Sequence, residues 1–268
     1  MVRVLPQLAV GLGLSLGLGI MVKPAIAQSF CGSQPCIMAQ GVNTTADSVD
    51  ELLRQGDEYY DQGQYDLALG AYDAALILEP ENDYLWLSRG ITLGALKRYD
   101  EELESYDQAI ALDPDQNLVW YNRGVALGAL GRYEEEVESY DRALDLDPED
   151  VDAWYNRGIA LSFLARPEEE LASYDRTLAL DPEYLDAWFN KGYVLAELGR
   201  HPEAIAAYEA LLDLDPDDAE AWNNRGVSLG ELGRYEEELA SYDQALAIDP
   251  AYEDARINRE FVLEMLNR

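Results

Sequence analysis

A phrase of 34 residues is repeated six times without an insertion or a deletion, and this period constrains the fold more than any other feature of the chain. A unit of this length cannot bury an apolar face alone, so neighbouring units must stack and share a continuous core. Such a stack offers a long surface and little room for a deep catalytic pocket. The units are residues 49–82, 83–116, 117–150, 151–184, 185–218 and 219–252.

The columns of the repeat predict two helices per unit. Position 4 is tryptophan in every unit except the first, where it is Leu52, and positions 8, 24 and 32 are always glycine, tyrosine and proline. The spacing of Trp86, Gly90 and Leu93 places them on one helix face, and the apolar positions around Tyr106 mark a second helix. A Gly-Arg turn or its equivalent separates the two helices, and an Asp-Pro pair ends the unit. The glycine at position 8 indicates that the helices approach closely there, because glycine otherwise weakens a helix.

The tryptophan, glycine, tyrosine and proline columns, with a mostly small residue at position 27, resemble the tetratricopeptide repeat. The resemblance covers residues 49–252. It implies an all-α fold, a right-handed α-solenoid of antiparallel helix pairs, and the family's usual role of holding a peptide or a partner helix in a concave groove. Residues 253–268 begin like a seventh first helix, and we predict that they form the capping helix that an open solenoid end requires.

The first 27 residues have the features of a secretory signal peptide. Arg3 precedes an apolar run over residues 8–22, and Ala25-Ile26-Ala27 is a small-x-small cleavage pattern. We therefore predict cleavage near Ala27 and export to a periplasm, a lumen or the extracellular space. An uncleaved membrane anchor is the alternative, for which the apolar run is short and rich in glycine.

Residues 28–48 are polar and irregular, and we predict a disordered spacer there. This spacer contains both cysteines, Cys31 and Cys36, which in an exported protein could close a local disulfide loop or pair with another chain. Two cysteines are too few for a metal site, and no further ligand stands near them. We predict neither a metal nor a cofactor.

The chain carries a formal net charge of −34. This charge disfavours nucleic acid and anionic membranes as partners and favours a basic partner. Part of the acidity has a structural explanation, because acidic pairs open the second helices, where a carboxylate is favourable at the amide end of the helix dipole. These pairs are Asp100-Glu101, Glu134-Glu135, Glu168-Glu169 and Glu236-Glu237.

Positions 7 and 20 change together. Four units combine arginine at position 7 with glutamate at position 20, whereas the other two combine Gln55 with Ala68 and Lys191 with Ala204. We predict an Arg–Glu ion pair between the two helices of each of these four units, since the guanidinium fork suits a partly buried carboxylate. The alternative is that both side chains point to solvent and that the match reflects duplication of one unit. The predicted pairs are Arg89–Glu102, Arg123–Glu136, Arg157–Glu170 and Arg225–Glu238.

Positions 2, 5, 9, 12 and 13 of the first helices are expected on the inner surface, and none of them is Lys or Arg in any of the six units. Family members that bind chaperone C-termini clamp a carboxylate with basic side chains there, so we exclude a chaperone C-terminal carboxylate as the ligand. The columns are apolar and aromatic with acidic ends, which favours an amphipathic or basic-apolar segment. The alternative is that these side chains pack between units and leave no open groove. The predicted groove residues are Leu87, Ile91, Tyr121, Val125, Tyr155, Ile159, Phe189 and Tyr193.

The sequence contains no catalytic constellation. Its one histidine, His201, begins a predicted helix, and the G-x-S-x-G match at residues 226–230 lies inside another, so it is not a nucleophile elbow. We therefore predict a non-enzymatic, exported scaffold for protein–protein interaction, such as an assembly factor, without membrane contact after signal cleavage. The alternative is a structural or self-associating solenoid that contacts partners through its acidic outer face.

Overall fold

A computed structural model describes residues 48–266 of the chain. The predicted signal peptide, both cysteines and all of the predicted spacer except Ser48 lie outside the described residues. Residues 48–266 form thirteen α-helices and no β-strand, which confirms the all-α fold. The helices are α1 (Val49–Asp61), α2 (Tyr65–Leu78), α3 (Asp83–Ala95), α4 (Tyr99–Leu112), α5 (Asn117–Ala129), α6 (Tyr133–Leu146), α7 (Val151–Phe163), α8 (Pro167–Leu180), α9 (Leu185–Glu197), α10 (His201–Leu214), α11 (Ala219–Glu231), α12 (Tyr235–Ile248) and α13 (Glu253–Leu266).

Packing between helices divides the described chain into two compact units, residues 48–194 and residues 195–266. The first unit holds α1 to α8 and most of α9, and the second holds the end of α9 with α10 to α13. Within each unit the helices of a pair are joined by a short turn and pack together, and each pair packs on the next in chain order. The predicted solenoid of antiparallel helix pairs is therefore confirmed within each unit.

Two hydrogen bonds recur at the junctions between the repeats. The indole Nε1 of Trp120 donates to the carbonyl oxygen of Pro114 at 2.9 Å, and the other four tryptophans make the same bond. The carboxylate of Asp113 accepts a hydrogen bond from the backbone N–H of Asp115 at 3.1 Å, a turn that aspartate forms readily. The acidic residues at the junctions therefore have a local structural role.

The glycine at position 8 makes room for the tyrosine at position 24. Tyr174 is 1% exposed, and a Cβ added to Gly158 would lie 2.5 Å from the Cε1 atom of its ring. The sequence predicted a close approach of the two helices at this glycine, and the buried ring is what leaves no space for a side chain.

The turn inside each helix pair uses the left-handed region of φ. Gly131 has a φ of 70°, and Lys97 and Ala165, which replace glycine at this position in two units, have φ values of 59° and 52°. Packing of the two helices therefore imposes the conformation even where glycine is absent.

The predicted Arg–Glu ion pairs are wrong. Arg157 Nε donates to Asp141 Oδ1 of the preceding unit at 2.6 Å, and its Nη1 donates to Ser173 Oγ of its own unit at 2.8 Å. Its guanidinium carbon also lies 5.8 Å from the centroid of the Trp154 ring. The other three arginines of this set bind in the same way: Arg89 to Asp73 and Ser105, Arg123 to Asp107 and Ser139, and Arg225 to Glu209 and Ser241.

The serine at position 23 explains why four units have arginine at position 7. Serine occupies this position in the four units that have arginine, whereas the other two have Ala71 and Ala207. Lys191, in a unit without the serine, keeps the ion pair to the preceding unit, at 2.7 Å from Asp175, and the contact with the tryptophan ring, at 5.2 Å from the centroid of Trp188. Arginine is thus selected where one side chain can bridge a carboxylate and a hydroxyl at once, because its fork carries several donors.

The glutamates at position 20 are buried beside the tyrosine at position 24. Tyr106 Oη donates to Glu102 Oε1 at 3.0 Å, and the Glu102 carboxylate fills the space next to Gly94. Burial raises the pKa of Glu102 to about 7, of Glu136 to about 8 and of Glu170 to about 7, and the tyrosine hydroxyl opposes this rise only in part. Glu102, Glu136 and Glu170 thus serve as acceptors for buried hydroxyls rather than as partners of cations.

Candidate functional site

The eight predicted groove residues lie within the unit of residues 48–194, on the first helices α3, α5, α7 and α9. Val125, at position 9, is 41% exposed and is the most exposed of the eight side chains. Five of the eight side chains are half-buried: Ile91, Tyr155, Ile159, Phe189 and Tyr193.

Leu87 and Tyr121 are packed between units, so the prediction of a groove surface is wrong for these two side chains. Each is 5% exposed. Leu87 belongs to a core cluster that includes Val119 and Leu127 of the following unit. The ring of Tyr121 packs at 5.8 Å from that of Tyr140 in its own unit, and its hydroxyl accepts a hydrogen bond from Asn156 of the following unit. At position 5 the alternative, packing against neighbouring units, therefore applies to these two residues.

Asparagines at position 6 connect neighbouring units. Asn156 Nδ2 donates to Tyr121 Oη at 3.0 Å, and Asn190 Nδ2 donates to Tyr155 Oη at 3.2 Å. The amide nitrogen of Asn122 lacks such an acceptor, since the residue 35 positions earlier is Leu87, which has no hydroxyl. Where a tyrosine precedes, the asparagine is engaged within the stack.

Two tyrosines and two aspartates gather where α7 and α9 begin. Tyr155 and Tyr184 have ring centroids 4.7 Å apart, and Asp152 and Asp186 are exposed second residues of α7 and α9. We call these four residues the tyrosine–aspartate cluster. Burial raises the pKa of both tyrosine hydroxyls; Asp186 raises that of Tyr155 further, and both aspartates raise that of Tyr184. The carboxylates are therefore close enough to influence the ionisation of these hydroxyls. The combination of aromatic rings and negative charge favours a cation.

The columns of the repeat did not predict a role for Tyr184, because it lies in the connection before α9, outside the helix positions expected on the inner surface. A signal was present in its column, position 34, which is Asn82, Gln116 and Asp150 in the first three units and changes to an aromatic residue here. A tyrosine in an otherwise polar turn column indicates a contact that the turn itself does not need.

The unit of residues 195–266 repeats part of this arrangement. Burial raises the pKa of Tyr252, and Glu220 and Asp254 raise it further. Burial also raises the pKa of Glu220, with Asp218 and Asp254 adding to the effect. An aromatic ring beside carboxylates is thus a recurring feature of the junctions that carry tyrosine at position 34.

The described residues contain neither a clustered metal site nor a membrane-spanning helix. Within residues 48–266, no group of three or more His, Cys, Asp or Glu side chains is placed to hold a metal ion. No helix of this part of the chain is long and apolar enough to cross a membrane. Residues 226–230 lie inside α11, so their G-x-S-x-G pattern does not form a strand-to-helix elbow.

Comparison of the sequence with protein families gives repeated matches to one kind of unit. A family model described as tetratricopeptide repeat matches residues 53–117, 155–219 and 198–253. A second model, described as TPR repeat, matches residues 128–162. No curated protein matches the chain in sequence.

Several solved structures share the fold. YrrB, described as a TPR protein with an unusual peptide-binding site, is 26% identical with a TM-score of 0.65, and the match covers 71% of this chain and 98% of that chain. MamA from Desulfovibrio magneticus RS-1 is 18% identical with a TM-score of 0.61, over 65% of this chain and 98% of that one. PilW, described as a type IV pilus biogenesis factor, is 24% identical with a TM-score of 0.59, over 78% of this chain and 97% of that one. At these identities the likeness to MamA and PilW supports the fold alone.

Proposed function

The chain belongs to the tetratricopeptide repeat family, and from its inner surface we propose that it is an exported scaffold that holds a basic, partly apolar peptide or helix of a partner protein. The proposed binding surface runs along α3, α5, α7 and α9 within residues 48–194. It comprises the accessible position-9 side chains and the tyrosine–aspartate cluster.

The tyrosine–aspartate cluster carries this proposal. A lysine or arginine of the partner would meet the faces of Tyr155 and Tyr184 and the exposed carboxylates of Asp152 and Asp186. A cation over an aromatic ring contributes about 0.5–1 kcal/mol at an exposed site and about 2 kcal/mol when it is desolvated. The net charge of −34 adds long-range attraction for a basic segment and raises its association rate.

The partner is expected to be apolar as well as basic. Val125, at 41% exposure, lies in the same column as Ile91, Ile159 and Tyr193, which are half-buried. Such a row suits the apolar face of a helix or the alternate side chains of an extended peptide. YrrB, which is described as having a peptide-binding site, supports a peptide as the class of partner.

A selection of peptides tests the proposal without knowledge of the natural partner. We expect a phage-displayed library of random 15-residue peptides, selected on the chain, to yield sequences that combine Lys or Arg with Leu, Phe or Trp. The double variant Asp152→Asn/Asp186→Asn removes two charges from the cluster and should weaken the selected peptides about tenfold, which corresponds to about 1.4 kcal/mol. Isothermal titration calorimetry at two salt concentrations measures the change.

The matched control is Glu134→Gln/Glu168→Gln. These exposed residues open α6 and α8, so the control removes the same number of charges from elsewhere. It should weaken binding by less than about twofold, through the loss of long-range attraction only. Equal losses in the two variants, or selection of acidic peptides, would refute a site at the cluster.

Export is supported by residues 1–27, whose basic start, apolar run and Ala25-Ile26-Ala27 pattern are typical of a cleaved signal peptide. We expect a chain produced with an intact secretory pathway to lose these residues and to begin at Gln28. Intact-mass spectrometry of the exported chain checks this, and a mass that retains residues 1–27 would favour the uncleaved anchor.

A further inference from the structure

The outer face of α2 is apolar where the other second helices are polar. Leu67 is 42% exposed and Ile77 is 73% exposed, the largest exposure of any large hydrophobic side chain in the described part of the chain. The position of Leu67 is glutamate in all five other units, and the position of Ile77 is alanine or aspartate. Exposed side chains of this size on a chain with so many acidic residues indicate a contact surface.

Four residues of α2 form a continuous apolar stripe. Leu67, Gly70, Ala74 and Ile77 follow one another at intervals of three, four and three residues, which places them on one face of the helix. Gly70 is exposed, and a Cβ added to it would meet no atom within 4 Å. Ala74 is 6% exposed and lies between the two large side chains on this face. We call these residues the α2 stripe.

The first unit also lacks the ion pair that covers this face elsewhere. In the third unit Arg132 pairs with Glu135 at 2.5 Å, and the corresponding residues of the first unit are Gln64 and Leu67. The same arginine–glutamate pair occurs in the second, fourth, fifth and sixth units. The polar covering is thus replaced by apolar surface in one unit of the six.

We propose that the α2 stripe is a self-association surface, at which α2 packs antiparallel against α2 of a second copy of this chain. The intervals of the stripe read the same in both directions. An antiparallel pair with its two-fold axis level with Tyr72 therefore places Leu67 opposite Ile77 of the second copy, and Gly70 opposite Ala74. Two large and two small residues interdigitate in such a pair, which is the self-complementarity that a two-fold interface requires.

Charge explains why a second copy fits this face and not the others. The chain repels itself through its net charge of −34, and the other second helices carry glutamate at the position of Leu67, whose burial in a contact would cost free energy. The α2 stripe contains no charged residue, and its neighbour Asp73 is paired with Arg89 at 2.7 Å. A symmetric contact at this stripe therefore buries apolar surface without placing like charges opposite each other.

The size of the contact predicts a weak dimer. One helix packed on one helix buries roughly half of the about 800 Å² per partner that a stable interface needs. We therefore expect a dissociation constant on the order of tens of micromolar, with tighter association at higher salt, because salt screens the repulsion between the two acidic chains. The stripe lies on a second helix and does not include the groove residues, so this inference stands apart from the proposed function.

Sedimentation equilibrium of the full chain from about 5 to about 300 µM tests the proposal. The weight-average mass should rise towards that of a dimer, and Ile77→Glu should weaken the association at least tenfold. Gly70→Gln is the second variant: the open space around Gly70 and the better helix propensity of glutamine should raise the melting temperature of the monomer. The added bulk at the centre of the stripe should at the same time reduce association.

The control is Ala111→Glu, which adds the same charge at the equivalent position of the second unit and should leave association within about twofold of the parent, since it adds repulsion only. A chain that stays monomeric at every concentration would overturn the proposal. Equal weakening by Ile77→Glu and Ala111→Glu would also overturn it, as would stronger association of Gly70→Gln. A monomer that Ile77→Glu destabilises would show instead that the chain covers its own stripe.

Discussion

Raising the pH from about 6 to about 9 is expected to lower the free energy of unfolding by at least about 3 kcal/mol, because three buried glutamates lose a proton in this window. Burial raises the pKa of Glu102 and Glu170 to about 7 and that of Glu136 to about 8, from an ordinary value of 4.5. A pKa that is raised in the folded state means that the folded state binds the proton more tightly. The stabilisation is therefore complete below pH 4.5 and is lost as the pH rises through 7 and 8.

The magnitude follows from the size of these shifts. One pKa unit corresponds to about 1.36 kcal/mol, so a glutamate shifted to about 7 loses about 3 kcal/mol over its full range, and part of that falls above pH 6. Three such groups together lower the free energy of unfolding by more than about 3 kcal/mol, even if water reaches each ionised carboxylate and reduces the free energy of burying its charge.

The window from pH 6 to pH 9 isolates these groups from the many other acids. Exposed aspartates and glutamates are ionised well below it. Burial raises the pKa of the tyrosines beside the buried glutamates, such as Tyr106 and Tyr140, far above it. The chain has a single histidine, His201. A loss of stability above pH 6 therefore reports on position 20.

The triple variant Glu102→Gln/Glu136→Gln/Glu170→Gln keeps the size of each side chain and an oxygen that can accept from the neighbouring tyrosine. The fourth buried glutamate of position 20, Glu238, is kept. We therefore expect the stability of the variant to fall much less than that of the parent between pH 6 and pH 9 and to exceed it at the alkaline end. Urea denaturation followed by circular dichroism at a series of pH values measures both curves. The control, Glu104→Gln/Glu138→Gln/Glu168→Gln, removes three exposed charges and should keep the dependence of the parent.

Two results of these measurements would contradict this interpretation. A parent protein with constant stability across the window would show that the buried carboxylates are not protonated in the folded state. A slope as steep in the glutamine variant as in the parent would assign the proton uptake to groups other than these three glutamates.

The fold was predictable because every repeat carries the same helix-pair pattern. A buried ring such as Tyr174 and a glycine such as Gly158 recur at one spacing, and that spacing is compatible only with a helix pair. The covariation of positions 7 and 20 was also visible, yet its partners were assigned wrongly. Arginine and glutamate are natural partners in isolation, but Arg157 has a carboxylate and the Ser173 hydroxyl within reach on the other side. The sequence did contain the relevant signal, because serine at position 23 accompanies arginine at position 7 in the same four units.

The candidate site was predictable in position but not in depth. Periodicity tells which face of a helix a side chain occupies, and it placed Leu87, Tyr121 and Tyr155 in one column. Whether a side chain in that column remains accessible depends on what the following unit packs against it. The structure buries the first two residues and leaves Tyr155 half-buried beside Tyr184. That difference arises from contacts between units, which a column of the repeat does not encode.

Replacing a helix glycine with alanine should have opposite effects at two places in this chain. Gly158→Ala should lower the free energy of unfolding by about 2 kcal/mol or more, since its Cβ would lie 2.5 Å from the ring of Tyr174. The ring is 1% exposed and cannot move aside without disturbing the core. This cost is net of the gain of about 1 kcal/mol that alanine brings to a helix interior.

Gly70→Ala is the matched control, because Gly70 is also inside a helix and a Cβ there meets no atom within 4 Å. It should raise the free energy of unfolding by about 1 kcal/mol, through helix propensity alone. Urea denaturation of both variants at low protein concentration gives the comparison. If Gly158→Ala stabilised the chain as Gly70→Ala does, the ring would not be what requires glycine at position 8.

A double-mutant cycle separates the steric cost from the propensity gain. Tyr174→Leu alone removes a buried ring and is expected to cost about 3 kcal/mol. In that background the Cβ of Gly158→Ala no longer meets the ring, so the alanine should cost nothing and should recover part of the propensity gain. The two substitutions should therefore be coupled by about 2 kcal/mol, well beyond the few tenths that independent sites show. Strict additivity would mean that the cost of a side chain at position 8 comes from another neighbour, because a contact that has been removed cannot still oppose the substitution.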